Sequence, residues 1–213
     1  MMRGGRKLGM ALVFVGFFLL CAAGGLLYHN HLESLRAQDA SAQVLEALAE
    51  QIQLNQTGKA VSPTETVSGE GTSPTERTPP PEEEDLCPTV QIDGVDYIGV
   101  ISFPTLSLEL PVMAQWSPTG LQTAPGRYTG TAAGGDLVIA GHNYDAHFGP
   151  LSDLSLNDPV LFTDVNGKVY TYAVLDIEIL QPTAIEDMVA GDYPFTLFTC
   201  TYGGRTRVTI RCG

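Results

Sequence analysis

The stretch Thr196–Gly213, TLFTCTYGGRTRVTIRCG, decides the fold, because it contains two strands and the turn between them. An apolar run leads into Cys200, and a second alternating run follows two glycines. Two glycines between such runs predict a two-residue hairpin turn. In that register Cys200 stands directly opposite Arg207, with both side chains on one face of the hairpin. The other face of the second strand, predicted to point into the core, carries Val208, Ile210 and Cys212.

Outward from this hairpin, the chain from residue 87 onward consists almost entirely of short segments typical of strands. They include DYIGVIS (96–102), LSLELPV (106–112), GDLVIAG (135–141) and two strands around an Asn166-Gly167 turn signal (159–180). In the last of these, Ala173, Leu175, Ile177 and Ile179 alternate with acidic residues, which predicts one buried face. Only residues 182–189 favour a helix. Seven or eight short strands with turns between them predict an all-β closed barrel or sandwich.

The N-terminus is typical of a membrane anchor. Basic residues in positions 1–7 precede an uncharged stretch of 21 residues, 8–28, which is long enough to cross ~30 Å of hydrocarbon. The positive-inside rule then predicts a cytoplasmic N-terminus and an extracellular remainder, in a single pass. The alternative is a signal peptide cleaved after the small residues CAAGG (21–25). The apolar run continues past that point through Leu26–Tyr28, which favours the retained anchor.

Two further segments separate this anchor from the predicted barrel. Residues 29–54 carry apolar side chains at near-helical spacing and predict a juxtamembrane helix. Residues 55–86 are rich in Thr, Ser, Pro and Glu, and end in TPPPEEEDL. This composition predicts a disordered, extended linker. The folded domain is predicted to occupy residues 87–213.

The charge of the chain excludes one class of partner. The net charge is −13, and residues 87–213 hold 13 acidic and 5 basic side chains, so no nucleic-acid partner is expected. Three of those five bases, Arg205, Arg207 and Arg211, lie in the final hairpin. Their concentration beside a cysteine indicates a function for at least one of them.

The cysteines of the predicted domain are odd in number. Cys87, Cys200 and Cys212 follow the linker, so at least one thiol is unpaired or pairs between chains. Cys87 and Cys212 stand at the two ends of the domain in an oxidising compartment, which suggests a disulfide between them. Two unpaired buried thiols are the open alternative. Neither the cysteines nor the histidines have metal-ligand spacing, so no metal site is predicted.

A cysteine becomes a nucleophile when a nearby base or cation activates it. The domain has two histidines, His142 and His147, in the segment AGHNYDAHFGPL (140–151). His142 follows a predicted strand directly, whereas His147 falls in the loop beyond it. A histidine, a cysteine and an arginine at strand ends form a coherent catalytic set, so His142 is the predicted partner of Cys200.

These motifs resemble those of sortases. TLFTC (196–200) matches the TLxTC signature of the family, and IAGHNY (139–144) with HFGPL (147–151) is similar to its histidine segment. RVTIRC (207–212), APGRYTGT (124–131) and GVISFPTLSLELPV (99–112) are similar to further strands of the family. The resemblance covers residues 90–212. It implies a closed eight-stranded barrel with one or two short helices, held outside the membrane of a Gram-positive bacterium.

The resemblance also implies an activity. Sortases cleave an LPxTG-like sorting signal of secreted proteins between Thr and Gly, and transfer the acyl group to an amine of a peptidoglycan precursor. By this resemblance Cys200 forms a thioester, His142 is the general acid and base, and Arg207 stabilises the oxyanion with the backbone N–H of Thr201. Thr199, Thr201 and Asn143 are expected to bind substrate. No metal or organic cofactor is required.

The sequence leaves two other functions open. A thiol peptidase or isopeptidase would use the same residues with water as the acceptor, and a peptide-binding barrel would not depend on Cys200. The connection between the cysteine and arginine strands, TYGG (201–204), is shorter than in many sortases, and the linker lacks an Asp-Pro-aromatic lid. The acceptor and the subclass therefore stay open at this stage.

Overall fold

A computed structural model describes residues 4–59, 87–189, 193–201 and 203–213. Within them, a helix α1 (Gly4–Lys59) precedes nine strands, and a second helix α2 (Ile185–Val189) lies between the seventh and eighth. The strands are β1 (Val90–Ile92), β2 (Val95–Phe103), β3 (Leu108–Met113), β4 (Gly126–Thr129), β5 (Leu137–Gly141), β6 (Pro159–Asp164), β7 (Val169–Leu180), β8 (Phe195–Cys200) and β9 (Arg207–Cys212). Short 3₁₀ turns lie at Pro104–Leu106, Gly120–Gln122 and Gly149–Asp153.

The strands close into a barrel. Neighbouring strands follow the order β1-β2-β3-β4-β5-β8-β9-β7-β6, and β6 also pairs with β2. Eight strands, β2 to β9, therefore form a closed ring, and β1 pairs on the outside with β2. The β3–β4 and β5–β8 pairs are parallel, and the other pairs are antiparallel. The predicted all-β closed eight-stranded barrel with short helices is confirmed.

The inside of the barrel is filled by large apolar side chains. Closure removes the unpaired strand edges that open sheets expose, and the inward-facing residues of each strand meet in one core. Full burial of each such side chain contributes about 1.5–3 kcal/mol. The largest fully buried members are Ile101, Phe103, Leu110, Leu137, Ile139, Phe148, Leu151, Phe195, Leu197 and Ile210. Val208 and Cys212 join Ile210 in this core, as the hairpin register predicts.

Strand β7 departs from the predicted alternation. Leu175 and Ile179, expected to point inward, are 50% and 60% exposed. The register of β7 against β9 shifts between Val174 and Asp176. A bulge of this kind inserts one extra residue, so the inward face passes from Val174 before it to Ile177 after it, and Leu175 is left outside. Ile179 pairs with the core residue Val208, and it is exposed because it lies next to the end of the strand. The expectation of one apolar inward face along the whole of β7 is therefore wrong.

Helix α1 runs without a break from the predicted anchor into the segment that packs on the barrel. Leu48 and Ile52 are buried in a cluster with residues of β2 and β3. Near the helix end, the Asn55 side-chain amide donates to the Val165 carbonyl at 2.9 Å. The first residues of the predicted linker, 55–59, are thus helical, because polar side chains there bond to the barrel. Residues 60–86 of that linker lie outside the described part of the chain.

Among the described residues, α1 is the one helix that is long and apolar enough to cross a membrane, and its apolar section is not buried against the protein. Side chains from Leu12 to Leu20 are exposed. Burial of such a surface in hydrocarbon is favourable because nothing else in the described structure covers it. This helix fits the predicted membrane anchor.

The structure does not contain the disulfide suggested between Cys87 and Cys212. Cys212 is a free thiol buried in the core, where β9 pairs it with Val174 and Phe195. Burial raises the pKa of Cys212 to about 12, so this thiol stays protonated. Cys87 instead lies beside Ile98 and the other residues of a small cleft.

Candidate active site

The parallel pairing of β5 with β8 brings the predicted histidine and cysteine to one edge of the sheet. Gly141, the last residue of β5, pairs with Thr199 of β8. His142 and Cys200 each follow by one residue, because parallel neighbours end at the same edge. The Thr199 hydroxyl donates to the Gly141 carbonyl at 3.0 Å and fixes the two strand ends against each other. The register thus places His142 and Cys200 side by side.

The predicted hairpin register is confirmed for the strand residues. Cys200 pairs with Arg207 as the last pair of β8 with β9. Both glycines of the turn have positive φ, 81° for Gly203 and 70° for Gly204, a conformation that side chains disfavour. The Gly204 N–H donates to the Thr201 carbonyl at 2.8 Å. The pair expected next to the turn includes Tyr202, which lies outside the described residues.

The Arg207 guanidinium bonds to the turn. Its Nη1 donates to the carbonyls of Gly204 and Thr206, at 3.2 Å each. The backbone therefore places Arg207 across from Cys200, while the side chain is held by turn carbonyls in this structure. The guanidinium retains further N–H groups, since five are present on the side chain.

Thr201 has a different environment from the one predicted. Its backbone N–H donates to the Thr206 carbonyl at 3.0 Å, and its hydroxyl lies 2.9 Å from the Thr206 hydroxyl. The hairpin hydrogen bonds continue one residue past Cys200, so this N–H is committed to the hairpin. The expectation that the Thr201 N–H donates to an oxyanion is therefore wrong for this arrangement.

Cys200 lies on the outer face of the barrel. In β8, Phe198 shares this face and packs with Val138 and Ala140 of β5 and Met188 of α2. Thr199 points to the opposite side, where it is almost completely buried. The predicted substrate residue Thr199 thus lies behind the nucleophile, with its hydroxyl bound to the backbone of β5.

The His142 ring is held by an aromatic stack. It lies 3.8 Å from the Tyr144 ring, centre to centre, at an angle of 22° between the planes. Nδ1 of His142 is buried and has no hydrogen-bond partner within the described chain. Burial lowers the pKa of His142, which favours the neutral imidazole at neutral pH.

Gly141 allows the close packing beneath the histidine. A Cβ at this position would come within 2.3 Å of the Phe148 ring. The Phe148 N–H in turn donates to the His142 carbonyl at 3.0 Å. Only glycine therefore allows the loop to fold back on the strand and hold the backbone of His142 in place.

His147 has a structural environment. It is 0% exposed, and its Nε2 lies 3.0 Å from the Ser41 Oγ of α1. Ser41 donates its own proton to the Thr123 carbonyl at 2.5 Å, so His147 must be the donor in the contact with Ser41. Burial lowers the pKa of His147 to about 4, and the ring is neutral at neutral pH. The hydrogen bond between His147 and Ser41 therefore joins the loop after β5 to helix α1.

Two pockets flank the loop that follows β5. The first, named here the cysteine pocket, has a volume of about 240 Å³ and is lined by Asn143, Asp145, Gly149, Ser152, Thr199, Cys200, Thr201 and Val208. The second, the histidine pocket, has a volume of about 340 Å³ and is lined by Leu27, Asn30, His31, Ser34, His142, Asn143, Tyr144, Asp145 and Gly203. Asn143 and Asp145 border both. Asn143, predicted to bind substrate, thus lies at the boundary between the pocket of Cys200 and the pocket of His142.

The three arginines of the hairpin have three different environments. Arg205 is exposed, and Arg207 is half-buried at the turn. Arg211 is buried, with Nε 2.9 Å from Glu178 and Nη1 donating to the Met188 carbonyl at 3.0 Å. Arg211 therefore fastens α2 to the barrel, a role that sequence reasoning missed. The hairpin register could have indicated this role, because it pairs Arg211 with Thr196 and so places the arginine on the outer face, beneath the connection between β7 and β8.

No three His, Cys, Asp or Glu side chains come together as a metal site within the described residues. The site is therefore a cysteine and a histidine on adjacent strand ends, with an arginine opposite the cysteine. The sortase-domain family model matches residues 101–212, more than half of the chain. The chain belongs to the sortase family.

Individual sortases support this assignment. Sortase A of Bacillus anthracis is 31% identical over 117 residues, which cover 51% of this chain and 54% of that protein. This chain thus spans about half the length of its curated relative. The crystal structure of sortase C1 from Streptococcus agalactiae is 27% identical, with a TM-score of 0.50, and the match covers 64% of this chain and 76% of that one.

A sortase D5 transpeptidase from Clostridium perfringens shares the fold more completely. The TM-score is 0.54 at 17% identity, and the match covers 82% of this chain and 99% of that chain. At this identity the likeness concerns the fold alone. The relatives named here carry the class labels A, C and D, so the subclass is not decided by them.

Proposed function

We propose that the protein is a cysteine transpeptidase that cleaves a sorting signal and joins the acyl part to an amine. The observation that carries the proposal is the pairing of β5 with β8, which puts His142 and Cys200 on adjacent strand ends with Arg207 across from the cysteine. A nucleophile, a base and a cation at one edge are the groups that acyl transfer through a thioester requires.

In the first half of the reaction, the Cys200 sulfur attacks the carbonyl carbon of the scissile peptide bond. The oxyanion that forms is stabilised by the Arg207 guanidinium, after Nη1 leaves the turn carbonyls or through its other N–H groups. His142 takes the thiol proton as the sulfur attacks and then passes it to the leaving amine. The C–N bond breaks, and the acyl group stays on sulfur as a thioester. Charge-assisted hydrogen bonds to the oxyanion are worth several kcal/mol in such sites.

In the second half, an incoming amine attacks the thioester carbonyl. His142 accepts the proton that the amine loses and the C–S bond breaks. The same proton then passes from His142 to the departing sulfur, which restores the Cys200 thiol. The neutral imidazole favoured by burial is the form that can accept this proton. Water can replace the amine, which would give the thiol peptidase reaction with the same residues.

The cell surface is the proposed place of this reaction. Basic residues before the uncharged stretch 8–28 favour a cytoplasmic N-terminus, so that the apolar section of α1 crosses the membrane once and the barrel lies outside. The proposed partners are secreted proteins with a C-terminal LPxTG-like sorting signal, and a peptidoglycan precursor or another amine as acceptor.

The Asn143 side chain is proposed to bind substrate, because it borders both pockets. Thr199 and Thr201 line the cysteine pocket, but their hydroxyls bond to protein atoms in the structure. We therefore assign them to shaping the pocket wall behind and beside the sulfur. No cofactor is needed, since cysteine and histidine alone supply nucleophile and proton transfer.

The experiment that tests the proposal uses the full chain in detergent with a library of LPxTG-like peptides. Product masses with and without triglycine distinguish transfer from hydrolysis. Cys200→Ala is expected to abolish both products and the thioester adduct, whereas the matched change Cys21→Ala, in the exposed part of α1, leaves turnover intact. Turnover by Cys200→Ala equal to that of the unaltered chain would refute the proposal.

A further inference from the structure

The two pockets divide the site into a sulfur side and an imidazole side. The cysteine pocket contains Cys200 without His142, and the histidine pocket contains His142 without Cys200. A transpeptidase must hold two substrates, and the acyl group has to be on the sulfur when the second arrives. The inference below rests on the proposed transpeptidase function.

Helix α1 builds one wall of the histidine pocket. Leu27, Asn30, His31 and Ser34 line it, at spacings of three, four and seven residues from the first. Residues so spaced lie on one face of a helix, over about 10 Å of its length. The opposite wall is the loop that carries His142. The helix that contains the apolar anchor is therefore part of the active site.

Hydrogen bonds hold this wall in place. The Ala146 N–H donates to the Ser34 Oγ at 3.3 Å, and His147 bonds to Ser41 two turns further along. Ser34 and Ser41 are both buried against the barrel. The face of α1 that lines the pocket is thus fixed against the histidine loop over two successive contacts.

We propose that the histidine pocket binds the primary amine acceptor, and that Asn30 and His31 of α1 determine which amine is accepted. The incoming amine must reach His142, which takes its proton, while the cysteine pocket holds the acyl part. Asp145 borders the pocket with a carboxylate that attracts an ammonium group, and the Asn30 amide oxygen is a second acceptor.

The position of the pocket along α1 defines how an amine can reach it. Leu27 belongs to the last turn of the uncharged stretch 8–28, and Asn30 and His31 follow directly. The pocket therefore begins where the helix leaves its apolar section. A primary amine carried on a membrane lipid and one dissolved in water share the chemistry that the pocket recognises, and the experiment separates the two sources.

The test uses the full chain in nanodiscs and measures the ratio of amide product to hydrolysis product at a fixed, subsaturating amine concentration. One arm supplies triglycine in solution, and the other supplies the same peptide amine attached to a lipid in the nanodisc. The variants are Asn30→Ala and His31→Ala. His29→Ala is the matched control, because residue 29 lies about 200° from residue 31 around the helix and outside the pocket.

We expect His31→Ala and Asn30→Ala to lower the ratio by roughly tenfold, equivalent to 1.4 kcal/mol of lost binding, while His29→Ala matches the unaltered chain. Alanine favours helix formation and both side chains are exposed, so neither substitution is expected to disturb folding. Loss in both arms supports an amine site for either source, and loss in the lipid arm alone supports a lipid-borne acceptor. Ratios in both arms equal to the His29→Ala control would overturn the proposal.

The failure of this inference differs from failure of the proposed function. If the unaltered chain forms neither product from any sorting-signal peptide, the transpeptidase proposal is refuted. If the unaltered chain forms both the amide and the hydrolysis product, and the ratio of these products is unchanged by Asn30→Ala and His31→Ala, the transpeptidase function stands and the acceptor binds elsewhere.

Discussion

The Thr199 hydroxyl donates a hydrogen bond to the carbonyl of Gly141 at 3.0 Å, across 58 residues of sequence. This bond joins the residue before the proposed nucleophile, Cys200, to the residue before the proposed general base, His142. It is buried, and a buried hydrogen bond of this kind limits the relative movement of the two strand ends. We therefore expect Thr199 to position Cys200 and His142.

We predict that Thr199→Val lowers kcat by about tenfold, since a misplacement of reacting groups by a fraction of an ångström costs on this scale. Valine keeps the shape and burial of threonine but leaves the Gly141 carbonyl without its partner. Steady-state kinetics on the best peptide measure the effect. Thr199→Ser keeps the hydroxyl and is expected to restore most of the rate, and equal losses in both variants would argue against positioning by the hydrogen bond.

The two histidines are predicted to differ in what they support. His142→Ala is expected to lower kcat/KM by about 10²–10⁴, the usual contribution of general acid–base catalysis, with little change in Tm. His147→Ala is expected to lower Tm and to reduce activity only in part, because it removes the bond to Ser41 and leaves a cavity in a buried site.

Kinetics and thermal unfolding of both variants check this pair. A His147→Ala enzyme with an unchanged Tm and a greater loss of kcat than His142→Ala would reverse the assignment.

Among the arginines, we predict that Arg207→Ala loses about 2–3 kcal/mol of transition-state stabilisation, the usual scale for one oxyanion donor. Arg205 is exposed at the turn, so Arg205→Ala should lose much less and serves as the matched control. Arg207→Lys keeps the charge without the planar fork and is expected to recover only part of the rate. The ratio of kcat/KM values gives the measurement, and an Arg205→Ala variant less active than Arg207→Ala would contradict it.

Arg211 is predicted to be important for stability. Its side chain is buried and bonded to Glu178, Thr196 and the backbone of α2. Arg211→Ala removes these bonds and leaves the Glu178 carboxylate and buried acceptors with fewer partners, at a cost of about 2–5 kcal/mol. Chemical denaturation measures this loss. A variant as stable as the unaltered chain would show that α2 is held by other contacts.

Acid is predicted to destabilise the fold through His147. In the unfolded chain this imidazole takes up a proton near pH 6.5, whereas in the folded chain burial lowers its pKa to about 4. Its contribution to the free energy of unfolding is therefore full above pH 6.5 and falls as the pH drops toward 4, by up to about 3 kcal/mol. Burial also lowers the pKa of His142, so its titration likewise lowers the free energy of unfolding as the pH falls.

Unfolding free energies between pH 7 and pH 5 check this prediction. His147→Gln, which keeps a donor and does not titrate, is expected to flatten the pH dependence. An NMR titration of the unaltered chain gives the His147 pKa directly, and a value near 6.5 would contradict the expected coupling to folding.

The sequence alone determined the hairpin and its consequences. Two glycines between alternating runs set the register, so Cys200 opposite Arg207 and the core residues of β9 followed from local rules. The short strands with turns between them predicted a closed barrel or a sandwich, and the resemblance to sortases selected the closed barrel. The choice of His142 rested on its place directly after a strand, and the structure puts that strand beside the cysteine.

Other expectations were wrong where the conformation of a segment depends on contacts with residues distant in sequence. The alternation in β7 did not predict the bulge after Val174, since a single inserted residue depends on how β9 pairs. The Thr201 N–H was expected to be available, and the continuation of the hairpin past Cys200 committed it to Thr206. The suggested bridge between Cys87 and Cys212 is not formed, since Cys212 is a free thiol in the core, and a place at the two ends of a domain does not determine whether two sulfur atoms come within bonding distance.

Only the tertiary structure decided how α1 is used. The sequence indicates an apolar anchor followed by a helical segment. Hydrophobic periodicity shows which face of a helix is apolar, but it does not show which part of the protein packs on that face. The packing of Ser34 and Ser41 against the histidine loop depends on residues more than 100 positions apart. Those contacts bring one face of the anchor helix to His142, and they arise from the closed barrel, which fixes where the loop after β5 lies.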